Sequence, residues 1–434
     1  MNIVLLSGGS GKRLWPLSND IRSKQFIKIF KTDSGYESMV QRIYRQIMTV
    51  DPEATVTIAT SKSQVSAIHN QLGADVGVSV EPCRRDTFAA IALATAWLHD
   101  VKGLDEDEAV VVCPVDPYVE EAYFRCLEDM CRAAAQGREN LVLMGIKPTY
   151  PSEKYGYIKP NRDGKGYTFT EKPTADKARE YIAEGALWNG GVFAYRLKYV
   201  LQKSRELLGT DSYAELFSSY GTLRRISFDY AVVEQETSIE VLRYSGTWKD
   251  LGTWNTLTEA MEDNVIGDAV LNETCENVHV INEVDVPVLG MGLRNVVISA
   301  SPEGILVSDK EQSSYIKPFV DAIDQQVMFA EKSWGSYRVL DVEEQSLTVK
   351  VTLNPGHSMN YHSHDRRDEV WTVIDGDGRT VVDGMEQPIR VGDVITMAAG
   401  CRHTVFAGEN GLQMIEVQLG RDISVADKHK YELP

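Results

Sequence analysis

The sequence predicts an α/β domain on a mixed, mainly parallel sheet, then a β-rich connector and a small all-β barrel. Three observations carry this. Over roughly the first 260 residues strand-like and helix-like patterns alternate, as βαβ units do. From about Gly267 the alternation stops, and short β-like runs broken by Asn, Gly and Pro replace it. From Trp334 onward short strands separated by glycine-containing turns dominate, the pattern of a small barrel. At 434 residues the chain is longer than one core usually serves; such chains divide into units of about 100–200 residues. The boundaries fall at 1–262, 263–326 and 327–434.

Asn2–Leu6 is an uninterrupted apolar run and predicts a first buried strand; Val56–Ala59, Ala109–Cys113 and Leu141–Ile146 repeat the type. The Ala-rich Thr87–Trp97 has high helix propensity, and Glu120–Ala135 has the spacing of an amphipathic crossover helix. The connector has strand-like runs at Val278–Ile281, Val296–Ser299 and Ile305–Val307, and a helix is expected over Pro318–Gln326. In the barrel the expected strands are Tyr337–Asp341, Ser346–Leu353, Val370–Ile374, Thr380–Val382, Asp393–Met397 and Leu412–Gln418.

Hydrophobic content of 43% with 25% charged residues excludes disordered, collagen-like and coiled-coil classes. A net charge of −18 argues against a nucleic-acid partner, whose binding needs clustered Lys and Arg. Small phosphorylated ligands need only a local basic pocket. No apolar run approaches the roughly 20 residues that span a bilayer, and Met1–Leu6 lacks the basic region of a signal peptide. No membrane partner is expected. The six cysteines are scattered without CxxC spacing, which predicts reduced thiols and a cytoplasmic location.

Leu6-Ser7-Gly8-Gly9-Ser10-Gly11-Lys12-Arg13 follows the first strand directly. Glycines there let the backbone turn tightly and bring N–H groups to an anion. The loop matches neither common phosphate fingerprint. Arg13 follows Lys12 where a P-loop needs Ser or Thr, and Leu14 stands where GxGxxG needs its last glycine. Alone, such a turn serves equally well as a plain tight connection. Asp116, after the run Ala109–Cys113, lies where α/β sheets place ligand chemistry, at a strand's C-terminal end.

The neighbouring residues narrow the reading. The stretch Gly8 to Leu17, ending Leu14-Trp15-Pro16-Leu17, and then Ser23-Lys24-Gln25-Phe26 resemble the N-terminal signature of sugar-nucleotide pyrophosphorylases, in the variant of the bacterial mannose-1-phosphate guanylyltransferases. Further segments resemble that family in order: Glu81-Pro82 with Arg84-Arg85-Asp86-Thr87, Cys113-Pro114-Val115-Asp116, Gly145 to Thr149, Tyr155-Gly156-Tyr157-Ile158, Glu171-Lys172-Pro173, Leu187 to Phe193, Ser227 to Val232, and Thr247 to Trp254. The likeness spans about Met1–Met261. Three departures stand out: Asp86 for the usual Asn, Pro117 for the usual His, and Lys249-Asp250-Leu251-Gly252 for Ser-Asp-Val-Gly.

The resemblance implies an enzyme that joins GTP and mannose 1-phosphate, acting as a homo-oligomer, a dimer. It implies that Ser7, Gly8, Gly9, Ser10, Gly11, Lys12, Glu81, Arg85 and Asp86 bind the nucleotide, and that Arg13 and Lys24 clamp the triphosphate. Gly156, Glu171, Lys172 and Asn189 would bind the sugar phosphate, and Asp116 and Asp250 would carry Mg²⁺. Both reactants are anions, so such catalysis is positioning and charge cancellation. Mg²⁺ takes one or two carboxylates plus substrate phosphates, so two aspartates suffice.

In the barrel, Gly356, His362, His364, Glu369 and Gly376 fit the cupin pattern G-x5-H-x-H-x4-E-x6-G, and Gly392, Gly400 and His403 fit its second half. By that resemblance His362, His364, Glu369 and His403 form a metal site suited to Zn, Fe, Ni or Mn. Trp334 to Tyr337, Trp371 and Ile415-Glu416-Val417-Gln418 resemble the mannose-6-phosphate isomerase partner domain of such transferases. Asn360, two extra residues within Asp365–Asp368 and Val370 depart from it, and either Arg366 or Arg367 stands for its arginine. Two further readings stay open: the same chemistry on another base or hexose, prompted by Asp86 and Pro117, and a non-catalytic sugar-nucleotide sensor.

Overall fold

The computed structural model describes residues 1–434 apart from Ser10, Gly11, Asp20, 162–166, Asp422, Val425 and Pro434. The chain divides into two compact units: Met1–Ser10 with Lys24–Val65 and Leu72–Glu262, and Gly11–Ser23 with Ser66–Gln71 and Asp263–Pro434.

A nine-stranded mixed sheet organises the first unit. Gly77–Glu81, Thr55–Ser61, Asn2–Ser7 and Ala109–Pro114 lie side by side, all parallel. Leu187–Arg196 runs antiparallel beside Ala109–Pro114 and pairs onward with Gly156–Pro160 and Leu141–Ile146. The central strands are apolar throughout because both faces are covered: Ile3, Val4, Leu5 and Val110 to Val112 are buried. One covering element is the helix Asp86–Asp100, whose residues Phe88 to Leu98 are all buried. A helix wrapped on every side needs no polar stripe, which is why this segment is Ala-rich. The crossover helix Glu121–Gln136 buries one face and stops at Gly137, in the left-handed conformation. The sequence reading passed over the helix Met39–Val50, although Ser38 and Gln41 close a reciprocal capping box at its start.

In the second unit, Val265–Ile266, His279–Asn282 and Val296–Ser301 stack in parallel, and Gly304–Asp309 returns antiparallel. Ala269–Leu271 and Val288–Gly290 form a second parallel pair. The expected helix over Pro318–Gln326 is corrected to a single turn, Lys317–Val320. Beyond it Gln325 donates from Nε2 to the Glu303 carbonyl at 2.7 Å and so leaves the helical path.

The barrel region is a curled nine-stranded sheet. Here the expected runs Val370–Ile374 and Thr380–Val382 are one strand, Arg367–Val382, and Leu412–Gln418 is part of a longer one, His403–Gly420. The glycines between them suggest a turn, but they serve the pairing. A Cβ on Gly376 would lie 2.2 Å from the Gly411 carbonyl oxygen, and one on Gly378 2.1 Å from that of Phe406. The register shifts at these residues, so glycine here permits a bulge rather than a break. Trp371, Val351, Leu353 and Met414 fill the core of this sheet. Among the described residues no helix is long and apolar enough to cross a membrane.

Glu303 ties several segments of the second unit together. Its Oε1 accepts from Asn19 Nδ2 at 2.8 Å and from the backbone N–H groups of Met328 and Phe329 at 2.9 and 3.0 Å. Nearby, Arg22 forms a two-pronged pair with Glu283 at 2.6 and 2.8 Å. Because Glu303 is buried, Glu303→Ala leaves the Met328 and Phe329 N–H groups without this acceptor, while Asn19 Nδ2 keeps its bond to the Phe329 carbonyl at 2.9 Å. We expect a loss on the order of 3 kcal/mol, measured by calorimetry as a lower unfolding midpoint.

Candidate active site and metal centre

Parallel strands end on the same edge of a sheet, so Ser7, Ser61, Glu81 and Pro114 share one edge of the first unit. A cavity of about 430 Å³ opens there, lined by Ser7, Gly8, Gly9, Gln64, Glu81, Arg84, Asp86, Asp116, Gly191, Arg225 and Asp229 among others. A buried amide and hydroxyl network anchors the start of the glycine loop. Gln25 Nε2 donates to Ser7 Oγ at 2.9 Å, and Thr60 Oγ1 donates to Gln64 Oε1 at 2.9 Å. Ser7 Oγ in turn donates to Gln64 Oε1 at 3.2 Å. Locking Gln25 also fixes the short turn Lys24–Phe26, and with it the root of Lys24.

Asp116 and Asp250 meet through a two-stranded ladder. Pro117–Val119 pairs antiparallel with Trp248–Asp250, which sets Asp250 opposite Pro117. Lys24 Nζ then lies 2.7 Å from Asp116 Oδ2 and 3.4 Å from Asp250 Oδ1. Burial pulls the Lys24 ammonium toward neutrality, but Asp116 and then Asp250 outweigh it and hold the pKa above its ordinary value. The donor set fits Mg²⁺: two carboxylates, both partly exposed at the side chain, converge on one cation-sized position that an ammonium now shares.

Of the expected nucleotide residues, Ser7, Gly8, Gly9, Glu81 and Asp86 line the cavity. Ser10 and Gly11 lie outside the described residues. Lys12 and Arg13 belong to the second unit, on the turn Lys12–Leu14; Arg13 is exposed and Lys12 pairs with Asp321 at 3.4 Å. Arg85 is turned away from the cavity: its guanidinium donates to the Tyr220 carbonyl at 3.3 Å and to that of Gly221. Arg84 lines the wall in its place. Asp86 has a φ of 70°, a left-handed backbone that Asn and Asp tolerate better than other side-chain-bearing residues. Its Oδ1 accepts the Thr87 N–H at 2.8 Å at the start of the long helix. Glu81 takes a 2.7 Å bond from the Tyr220 hydroxyl, and burial holds its carboxyl above the usual range.

The expected sugar-phosphate residues are brought together by strand register. Asn189 stands opposite Gly156, at a bulge in Leu187–Arg196. A Cβ on Gly156 would come within 2.5 Å of Glu171 Oε2, so glycine there makes room for that carboxylate. Lys172 Nζ pairs with Glu171 at 2.7 Å. Asn189 Nδ2 donates to Asp229 Oδ1 at 2.6 Å. Sequence reasoning assigned no role to Gln64, Arg84, Arg225 or Asp229. Asp229 lay inside a recognised segment, which was the one signal for it.

In the second unit His362, His364 and His403 place ring nitrogens within 4.8 Å of one another, all buried. His362 and His403 are direct cross-strand neighbours. Backbone carbonyls hold the three rings by Nδ1: Asn360 at 2.6 Å, Cys401 at 3.0 Å, and Asp427. That turns each Nε2 toward the space between the rings, where a metal would bind. Glu369 lies 3.1 Å from His364 Nε2 and 3.2 Å from His403 Nε2. Burial pushes this carboxyl up, but its bonds to His364 and His403 hold it well below the usual range. Glu369 Oε2 and His403 Nε2 are buried and make no well-formed hydrogen bond, the condition of atoms suited to ligate an ion. Of the two candidate arginines, Arg367 points inward. Its Nε donates to Glu369 Oε1 at 2.9 Å, and its Nη2 sits 3.0 Å from His364 Nε2. Glu416 and Gln418, alternate residues of one strand, are buried with them.

Comparisons with known proteins follow this division. Residues 2–265 match the family model described as nucleotidyl transferase, and residues 322–432 match the one described as mannose-6-phosphate isomerase C-terminal. The xanthan biosynthesis protein XanB of Xanthomonas campestris pv. campestris is 29% identical, with 99% of this chain and 97% of that protein covered. The mannose-1-phosphate guanylyltransferase ManC of Salmonella typhimurium is 27% identical, with 99% of this chain and 97% of that protein covered. A crystal structure from Thermus thermophilus, described as a mannose-1-phosphate geranyltransferase, superposes with a TM-score of 0.60 at 28% identity, covering 74% of this chain and 98% of that one. With more than half its length in the matching region, the chain belongs to the nucleotidyl transferase family.

Proposed function

We propose that this chain transfers a guanylyl group from GTP to mannose 1-phosphate, giving GDP-mannose and pyrophosphate. The observation that carries it is the meeting of Asp116, Asp250 and Lys24 beside the glycine loop, in a family of nucleotidyl transferases. Relatives named for mannose-1-phosphate guanylyl transfer cover nearly the whole chain and support the choice of substrates.

The reaction joins a sugar-phosphate oxygen to the α-phosphorus of the triphosphate as pyrophosphate leaves. No covalent nucleophile is required of the protein. Asp116 and Asp250 would hold Mg²⁺, which when bound neutralises phosphate charge. Lys24, kept protonated by the same two carboxylates, supplies a fixed positive charge beside the reacting phosphates. Gly8 and Gly9 bring backbone N–H groups to the cavity without side chains in the way. Glu171 and Asn189 orient the sugar by hydrogen bonds to its hydroxyls, and Lys172 balances charge at the sugar phosphate. Glu81 and Asp86, on the cavity wall, would face the base.

A second activity rests on the barrel. We read His362, His364, His403 and Glu369 as ligands of one divalent transition metal, and the surrounding domain as a mannose-6-phosphate isomerase. Such a metal, held by these four residues, would supply a Lewis acid for a carbonyl oxygen, the chemistry that an isomerisation between adjacent carbons needs beside a base.

The test is pyrophosphate release from a panel of nucleoside triphosphates and hexose 1-phosphates, with and without Mg²⁺. GTP with mannose 1-phosphate should be the best pair, and omitting Mg²⁺ should abolish release; equal rates on ATP or UTP would refute the base assignment. Asp250 is nearly half exposed at its side chain, so Asp250→Asn should fold normally. Turnover in that variant should fall by on the order of a hundredfold or more, as stopped-assay kinetics would show. For the barrel, His362→Ala should lower bound transition metal by elemental analysis. It should also abolish interconversion of mannose 6-phosphate and fructose 6-phosphate while leaving pyrophosphate release intact.

A further inference from the structure

One carboxyl group on the sugar side of the cavity is left unused by the mechanism above. Asp229 sits on the single helical turn Phe228–Ala231 and lines the same cavity as Asp116 and Gly191. Its Oδ1 accepts from Asn189 Nδ2 at 2.6 Å, while Asn189 Oδ1 accepts the Gly191 N–H at 3.1 Å. These two bonds fix the Asn189 amide in one orientation and leave it one N–H to offer. Of the roughly four acceptor positions on a carboxylate, Asn189 occupies one and the backbone N–H of Asp229 itself another.

The group is costly where it stands. Burial, and then the charge of Glu171, push the Asp229 carboxyl up to about 7, and the Asn189 bond and Lys172 only partly counter this. An amide would accept the same bond from Asn189 without that penalty. A half-buried acid beside a second acid, in a cavity, with acceptor positions to spare, is the arrangement of a ligand site. The chemistry that satisfies it is a set of hydroxyl donors. A phosphate would be repelled by two carboxyls, whereas sugar hydroxyls give their protons to Glu171 and Asp229 and take the remaining N–H of Asn189.

We propose that Asp229 is a sugar-binding residue that, with Glu171 and the amide it orients, grips hydroxyls of the hexose 1-phosphate. This inference rests on the transferase reading above.

Asp229→Asn tests it, because the amide oxygen can still accept from Asn189. With wild type measured in parallel, KM for mannose 1-phosphate should rise roughly ten- to a hundredfold, and KM for GTP should not change. Asp229 loses its proton through about pH 7, and the ionised form is the stronger acceptor. The ratio of wild-type to variant kcat/KM for the sugar phosphate should therefore climb with pH across that point and then level. Glu171 and Lys172 are coupled to Asp229 and share in the change, with Arg225 and Asp116 also on the cavity wall, whereas the substrate phosphate ionises at about pH 6 in both assays and its contribution cancels in the ratio. An unchanged sugar-phosphate KM, a flat ratio, or an equal rise in KM for GTP overturns the inference while leaving the transferase reading in place. Failure of the wild-type protein to release pyrophosphate with any hexose 1-phosphate overturns both.

Discussion

The cluster of Asp116, Asp250 and Lys24 in the first unit hangs on a ladder of two three-residue strands. Pro117–Val119 and Trp248–Asp250 come from distant parts of the chain, and their pairing alone makes Asp116 and Asp250 neighbours. So short a ladder is not stable by itself, and its surroundings hold it. Arg42 donates to the Val119 carbonyl at 2.9 Å, and Glu120 accepts the Thr247 N–H at 2.8 Å. Trp248 packs against Tyr155 and Trp188, with ring centres 5.3 and 6.3 Å away. Pro117 fits because it opens a short strand outside the main sheet, where its missing N–H costs no interior ladder bond. The departure from the family's usual His is thus compatible with the ladder that seats the aspartates.

Charge governs the rest of that site. Asp116 and Asp250 repel one another, and Lys24 is the side chain that reconciles them. The same ammonium is suited to anionic substrates, so the resting pair and the working pair draw on one set of groups. Around Glu171 and Asp229 the balance differs. Glu171 has Lys172 at 2.7 Å, whereas Asp229 has chiefly an amide. That asymmetry leaves Asp229 as the carboxyl on which burial tells most.

The second unit uses buried charge in another way. Glu303 and Glu283 hold backbone amides, Asn19 and Arg22 in place, a structural use of carboxylates rather than a catalytic one. In the barrel, three imidazoles, Glu369, Arg367 and Glu416 are all sequestered together. Burial drives Glu416 up to about 7 and the histidine His362 down to about 2. Groups held so far from their solution behaviour, on strands rigidly paired to one another, are suited to metal and proton chemistry.

Much of this was legible in the sequence, because it depends on local order. Apolar runs declare the buried strands Asn2–Ser7 and Ala109–Pro114, alanines declare a fully enclosed helix, and several of the ordered motifs contribute residues to one cavity. His362, His364 and Glu369 were readable together because they stand at the spacing of the cupin motif that the segment resembles. What only the tertiary structure decided depends on register between distant segments: Asp250 opposite Pro117, Asn189 opposite Gly156, and which of two adjacent arginines faces inward, Arg84 over Arg85 and Arg367 over Arg366. Adjacent residues point in different directions, and composition does not say which direction is the site. Gly376 and Gly378 make the same point, since a turn and a bulge use the same residue and only the approach of another strand distinguishes them.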